Sequence, residues 1–465
     1  MNMVSSPVAC PVPPCSNGDV DSFGFTSARE RWPIILAGVI DDISRTTSDS
    51  DGKKAEEGKE LVRKIDALRY DVERDHVIQP LEDDGKEDIA WYNSELKRQG
   101  PADGSPMTWG KAPWLYSECY LYRAVRVAIA QTNEWKDYDV FARQKLDAFK
   151  GSERAVVELA VRYKALSGQL DGNETDETLE LLFREFIDIS LWGNATDLSL
   201  LTNLTLDQLQ SLQGKEARQA SEKNILVNDV HKAWAAVHDG SEGRTSRIDI
   251  VLDNAGFEFY TDVLFGLFML DSGIIDTVVF HPKTISWFVS DVMPVDLAVL
   301  VNALKDTNVF GHPSEHAEEL AFLCDRLVEY SSEGRIIMRE SDFWTTPYAF
   351  WEIRNGGLGG GHELWEDLKS SRLVIFKGDL NYRKLTYDGE WPKTTSFSTA
   401  IGPLASAGLR LFSLRTCKAD VVVGLETGRQ EKLEAEWTAM GKKPPQGWSW
   451  SGKWAVMPFT DGKSA

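Results

Sequence analysis

The chain is predicted to be an α/β protein, with a Rossmann-like three-layer α/β/α sheet domain preceded by a mostly helical N-terminal domain. Three observations predict this. Short β-branched runs alternate with helical stretches through the second half, which argues for a largely parallel sheet covered on both faces. The first half repeats apolar residues at helical spacing. A turn-rich segment at residues 239–243, Asp-Gly-Ser-Glu-Gly, separates the two patterns.

The elements follow in order. Residues 1–27 are rich in Pro, Ser and Gly and predict a disordered tail. Residues 28–240 predict a helical domain. An apolar helix begins near 33, and the charged stretch 51–60 reads as an exposed helix or a loop. Residues 115–130, apolar and aromatic around Arg123, predict a buried helix. Residues 156–166, 178–191 and 225–237 continue the helical spacing. Residues 241–460 predict the α/β domain. Strands are expected at 247–252, 276–280, 335–338, 372–376, 409–414 and 420–423. Helices are expected from 253 through about 270, at 294–304, at 315–330 and within 425–440.

Bulk properties limit the function classes. The chain has 465 residues, too many for one ordinary core. Its 16 tryptophans require a large core or aromatic-lined clefts. The net charge of −21 opposes nucleic acid, so none is expected as a partner. It also means that an anionic substrate needs a local cation. Cys10, Cys15, Cys119, Cys324 and Cys417 are scattered and odd in number, without CxxC, which fits a reducing compartment. The N-terminus lacks a basic signal-peptide region, and no apolar run is long enough for a membrane span. A cytoplasmic location is expected, with the nucleus as an additional one.

Parallel sheets carry their sites at the C-terminal ends of strands. Four expected strand ends here carry charged or amide groups. The first offers Asp253 and Asn254, followed by Gly256 and Glu258. The second leads through Lys283 to Asp291. The third offers Lys377, Asp379, Asn381, Arg383 and Lys384. The fourth offers Arg415 and Lys418.

Each has a bland alternative. Asp253 or Asn254 could cap the following helix. Asp291 could belong to a helix start with Pro294 at its first position. The third cluster could be a solvated turn with local ion pairs. Arg415 and Lys418 could form a structural salt bridge. Taken together, Asp253, Asn254 and Asp291 form a hard oxygen set suited to a divalent metal such as Mg²⁺ or Mn²⁺. The cations would then hold a phosphate. Asn194 and Asp197 belong either to a loop reaching the site from the helical half or to a helix-ending turn. The glycine-rich stretch 355–362 does not satisfy G-x-G-x-x-G and reads as a flexible loop or lid.

The peptides DNAGFE (253–258), HPKTISWFVSDV (281–292), KGDLNYRKL (377–385) and RTCK (415–418) resemble the damage-control phosphatase family. The RTxK pattern resembles its third subfamily. PWLYSECYLYR (113–123) and LWGNATDLSL (191–200) resemble its helical N-terminal half. The resemblance implies metal-dependent hydrolysis of phosphate monoesters such as fructose 1-phosphate or fructose 6-phosphate, with Mn²⁺, Co²⁺ or Ni²⁺ in support. It implies Asp253, Asn254 and Asp291 as metal ligands, which are also catalytic together with Lys418. It implies Asp379, Leu380, Asn381, Tyr382, Arg383 and Lys418 as substrate contacts, to which the residue reading adds Arg415.

The family is also linked to S-adenosylmethionine-dependent O-methylation of protein glutamates. Glu258 stands at the position assigned to that cofactor, and the sequence shows no glycine-rich methyltransferase fingerprint. Methyl transfer is therefore the second reading, and a non-catalytic interaction protein the third. Under the leading reading the partner is a small phosphorylated metabolite. The attacking group is either water or Asp253.

Overall fold

The computed structural model describes residues 7–170, 172–193, 222–239, 243–306, 309, 315–355 and 358–463. Its centre is a sheet of eight strands: β1 (Ile225–Asn228), β2 (Arg247–Val251), β3 (Thr277–His281), β4 (Ile336–Met338), β5 (Leu373–Lys377), β6 (Leu411–Thr416), β7 (Ala455–Met457) and β8 (Phe459–Thr460). The order is β1-β7-β6-β5-β2-β3-β4, with β8 beside β6. From β6 to β4 all neighbours are parallel, while β7 and β8 run antiparallel to β6. Winding proceeds outward from β2 through β3 to β4, then returns to β5 and β6 on the other side. The reversal lies between β2 and β5, the place where open α/β sheets leave a crevice.

Both faces of the sheet are covered, so its strands are apolar on both sides. Ile248, Ile250, Phe280 and Ile375 face one layer of helices. Val251, Val374, Phe376 and Leu411 face the other, with Trp344 and Tyr382 against them.

The helices used below are α1 (Trp32–Ser48), α2 (Gly52–Glu73), α3 (Asp88–Arg98), α4 (Trp114–Ala130), α5 (Ala142–Lys150), α6 (Glu153–Ser167), α7 (Asp176–Trp192), α8 (Val230–His238), α9 (Phe257–Asp271), α10 (Asp296–Lys305), α11 (Ala317–Ser332), α12 (Gly361–Leu368), α13 (Gly378–Leu385) and α14 (Arg429–Ala439). Helix α4 is buried along nearly its whole length. Its Arg123 is neutralised by Asp84 and Asp88, each 2.7 Å away, which is how a cation survives in that interior. Trp32, Tyr92, Trp114 and Tyr120 fill the surrounding core, and Trp287 and Leu380 enter it from the α/β half. The two halves therefore share buried surface.

Several expectations are corrected. Residues 7–27 are not a loose tail. Cys15 and Asn17 are buried. Asn17 Nδ2 donates to Trp109 O at 2.8 Å and to Ser117 Oγ at 2.9 Å. Backbone bonds tie Cys15 to both Asp388 and Trp114. The prolines that suggested disorder suit an extended strap with few N–H groups to satisfy. Residues 225–237 are not one helix: β1 comes first and α8 follows. Residues 420–423, expected as a strand, form a loop in which Val421, Val422 and Val423 are buried, and β7 and β8 supply edge pairing further on. The sheet and its helical cover begin before residue 240, since β1 and helices α6 to α8 belong to them.

The glycine-rich stretch is not poised over a cleft where it is described. A Cβ on Gly359 would lie 2.9 Å from Phe343 N, and one on Gly361 would lie 2.8 Å from the Phe343 ring. Glycine there permits close packing. Gly356 and Gly357 lie outside the described residues. Among the described residues no helix is long and apolar enough to cross a membrane.

Candidate functional site

Strand β2 ends at Val251, and α9 does not begin until Phe257. Asp253 and Asn254 therefore stand in the connection and do not cap the helix, whose cap position is Gly256 with φ of 72°. The loop after β3 comes back to meet them. Ala255 N donates to Ser290 O at 2.6 Å, and Val292 N to Asp253 O at 3.0 Å. These bonds set Asn254 opposite Asp291. Asp291 is not a helix-start residue either, because α10 begins only at Asp296, whose carboxylate accepts from Met293 N at 2.7 Å.

Each of the three side chains is held by one part and left open at another. Asp253 Oδ2 accepts from Asn254 Nδ2 at 2.9 Å, and Asp291 Oδ2 accepts from Phe288 N at 2.9 Å. Asn254 Oδ1 accepts from Ser290 Oγ, and its Nδ2 also donates to Glu258 Oε2 at 2.7 Å. Among the described residues neither Asp253 Oδ1 nor Asp291 Oδ1 has a hydrogen-bond partner, and Asn254 Oδ1 has two lone pairs for one donor. Burial, then the carboxylates of Glu258 and Asp291, hold the Asp253 carboxyl well above its usual range. Burial likewise raises Asp291. Beneath them Lys283, itself buried, donates to Leu252 O at 2.9 Å and Asn381 Oδ1 at 3.2 Å.

Strand β5 delivers the opposite wall across the reversal. Gly378, at φ of 78°, turns the chain directly over Asp253: a Cβ there would fall 1.7 Å from Asp253 Oδ2. Asp379 follows. Its Oδ1 accepts from Arg415 Nε at 2.8 Å, from Arg415 Nη2 at 2.7 Å and from Lys418 N at 3.0 Å. Oδ2 keeps no partner among the described residues. Arg415 is fully buried and fixes Asp379, while its remaining donors go to Ala419 O and Val421 O. Lys418 lines the cleft. No carboxylate lies within ion-pair distance of its ammonium among the described residues.

Asp379 to Arg383, expected as one set of substrate contacts, are separated in the structure. Asp379, Leu380 and Arg383 line the cleft. Asn381 instead donates to Leu252 O at 3.0 Å and Lys377 O at 2.7 Å, tying β2 to β5. Tyr382 is buried, with Val423 N donating to its hydroxyl at 3.2 Å. Arg383 reaches the cleft but is paired with Glu118 at 2.7 Å and Asp388 at 3.1 Å, and lies 3.6 Å from the Trp114 ring centroid. Glu258 does not line the cleft. It lies beneath Asn254, 3.8 Å from Lys377 Nζ, which also meets Asp262 at 2.8 Å. Asn194 and Asp197 lie outside the described residues.

These groups surround one open cleft of about 430 Å³. Asp253 and Asp291 form its floor. Its mouth carries Phe23 and Arg31 from the N-terminal strap and Trp450 to Gly452 from the far end of the chain. Arg31, Glu118 and Trp450 line the cleft although none was expected there from the sequence. Glu118 and Trp114 fall within the 113–123 peptide, but nothing local marks Arg31 or Trp450.

The chemistry of the oxygen set suits a hard divalent cation: two carboxylates and one amide oxygen with unfilled acceptor positions. Among the described residues no group of three or more His, Cys, Asp or Glu side chains is arranged to hold a metal, so the amide is needed to complete the set.

A family model for the damage-control phosphatase ARMT1-like domain matches residues 27–433. Curated relatives called Damage-control phosphatase ARMT1 are similar along nearly the full chain. That of Danio rerio is 33% identical over 450 residues, 94% of this chain and 95% of its own. That of Mus musculus is 34% identical over 443 residues, 91% and 95% respectively. That of Homo sapiens is 32% identical over 446 residues, 92% and 96%.

Proposed function

The chain belongs to the ARMT1-like damage-control phosphatase family, and from that premise we propose that it hydrolyses small phosphate monoesters with a divalent metal, sugar phosphates such as fructose 1-phosphate and fructose 6-phosphate among them. One observation carries the reading. At the winding reversal, unfilled oxygens of Asp253, Asn254 and Asp291 share a cleft with Lys418, whose ammonium has no carboxylate partner among the described residues. That is an arrangement for a cation on one wall and an anion between the walls.

Asp253, Asn254 and Asp291 would hold Mn²⁺, Co²⁺, Ni²⁺ or Mg²⁺. When bound, such an ion supplies Lewis-acid polarisation of a phosphate oxygen and lowers the pKa of water. The pressed carboxyl of Asp253 supports this, because a cation would relieve the repulsion from Glu258 and Asp291. Gly378 supports it too, because its missing side chain leaves the room that the Asp253 carboxylate occupies.

The chain's own groups divide the remaining work. Lys418 stabilises charge on the phosphoryl oxygens as a point cation. Asp379, fixed at Oδ1 by Arg415, offers Oδ2 to a hydroxyl of the ester. Arg383, already paired twice, holds the wall formed by Trp114 and Glu118 and is a framework cation. Asp253 either orients the attacking water or attacks phosphorus itself. Methyl transfer needs Glu258 to face a cofactor, whereas its carboxylate is buried and committed to Asn254.

The deciding experiment is a metal screen of the full chain against a panel of phosphorylated metabolites and p-nitrophenyl phosphate. Turnover that a chelator abolishes and Mn²⁺, Co²⁺ or Ni²⁺ restores is expected. No turnover with any metal would sink the reading.

A further inference from the structure

Of the three cations that line the cleft, Arg383 has two carboxylate partners. Neither Lys418 nor Arg31 has a carboxylate within ion-pair distance among the described residues. In a chain with a net charge of −21, two such cations in one cleft are a concentrated positive feature. They stand at different depths. Lys418 N is bonded to Asp379 beside the floor, whereas Arg31 is exposed at the mouth.

Arg31 is also presented by unusual backbone. Residues Ser27–Arg31 form a π-helical turn, closed by Trp32 N donating to Ser27 O, between the single turn Phe23–Thr26 and α1. Such turns are rare and concentrate at functional sites. The guanidinium lies 4.9 Å from the Phe23 ring centroid and donates to Ser27 Oγ at 3.2 Å. Phe23 in turn stacks on Trp450, with centroids 5.7 Å apart and planes 11° from parallel. Three layers, Arg31, Phe23 and Trp450, thus make a firm platform. Arg31 lines the same cleft as Asp253 and Asp291.

The cleft, about 430 Å³, falls within the roughly 300–1,000 Å³ of small-molecule pockets and has room for an ester that carries a second anionic group. We propose that the mouth is a subsite for a second anionic group of the substrate, a phosphate or carboxylate remote from the reacting ester, received by the guanidinium of Arg31. The planar fork of Arg suits either group. The proposal rests on the phosphatase reading and narrows it: the favoured esters carry two anionic groups, one at the floor and one at the mouth.

The test compares wild type, Arg31→Gln and Arg31→Lys with fructose 1,6-bisphosphate, 6-phosphogluconate and fructose 6-phosphate. Arg31 is exposed, and circular dichroism checks that the variants keep the fold. Wild type is expected to show the highest kcat/KM with one or both doubly anionic esters. Arg31→Gln is expected to raise KM for the favoured doubly anionic ester at least tenfold, with kcat and the fructose 6-phosphate KM within twofold. Arg31→Lys is expected to recover part of that loss. A loss confined to the bisphosphate assigns the mouth to phosphate, and a loss shared with 6-phosphogluconate assigns it to anions generally.

An equal KM increase for all three esters would mean that Arg31 holds the reacting phosphate, and would overturn the proposal, as would no change for any. Binding of the same esters, read by tryptophan fluorescence, separates this outcome from failure of the phosphatase reading. A wild type that binds the bisphosphate more tightly than Arg31→Gln does, yet turns over nothing, defeats the reaction and keeps the subsite. Equal binding by both proteins defeats the subsite.

Discussion

Gly378 and Asp253 belong to adjacent parallel strands' exits, and a Cβ on Gly378 would lie 1.7 Å from Asp253 Oδ2. The backbone of one wall thus replaces a side chain so that the carboxylate of the other can stand upright. Gly378→Ala is expected to displace Asp253 and to strain a residue at φ of 78°. The activity loss should be about 100-fold or more, the scale set by misplacing a reacting group by about 1 Å. The stability loss should exceed about 1 kcal/mol. Steady-state kinetics and thermal unfolding check both, and an active, unshifted variant would refute the close fit.

Asp253 supplies a linkage prediction. Burial and neighbouring carboxylates raise its folded pKa well above the unfolded value. The native state then binds more protons than the unfolded state above about pH 4, so this group's contribution to stability falls as pH rises from there towards the folded value. Asp253→Asn removes that penalty. It is expected to be inactive yet more heat-stable than the metal-free wild type at neutral pH. Mn²⁺ at 100 times its Kd should stabilise wild type by about 2.7 kcal/mol and leave the variant unmoved. Unfolding scans with and without metal, at pH 5 and 7.5, measure all of this.

Arg415 places two nitrogens on one oxygen of Asp379, Nε at 2.8 Å and Nη2 at 2.7 Å. Lysine keeps the charge but not the fork. Arg415→Lys is expected to lower kcat/KM about tenfold or more, mainly through KM, because Asp379 is loosened where it would meet the ester. A change confined to kcat would place Asp379 in the chemistry and not in binding.

Glu258 holds Asn254 by Nδ2 at 2.7 Å. Groups that orient metal ligands change metal affinity by about 10–100-fold when removed. Glu258→Ala is expected to weaken Mn²⁺ binding by that factor, and Glu258→Gln, which keeps an acceptor, by less. Calorimetric titration with the metal alone gives the answer. Unchanged affinity in the alanine variant would end this role for Glu258.

The parallel core was legible because strands buried on both faces are written as unbroken apolar runs, as in residues 373–377. Most strand ends were legible for the same reason, and they bring Asp253, Asp291, Asp379 and Lys418 to one rim; β6 runs two residues further than expected, to Thr416, so that Arg415 lies within the strand. Edge strands β1, β7 and β8 were not legible. They have two to four residues, and β1 adjoins a helix whose apolar spacing absorbed it. The strap at residues 7–27 was hidden by composition, since proline marks both disorder and extended backbone, and only long-range partners such as Asp388 decide between them. Within the third cluster, alternate residues carry similar polar groups. Only the turn of α13 sends Asp379 and Arg383 to the cleft and Asn381 and Tyr382 inward.

Phe23 lies on Trp450, and Gln446 Nε2 donates to Asp21 O across 425 positions of sequence. Contacts so distant along the chain become available late in synthesis. While the chain is still emerging from the ribosome, the strap has no partner at the mouth and the floor stands open. Maturation of the entrance therefore waits until residues 446–450 have been made. Exchange of Trp450 for a small residue would leave Asp253, Asp291 and Lys418 untouched and take one jamb from the doorway that leads to them.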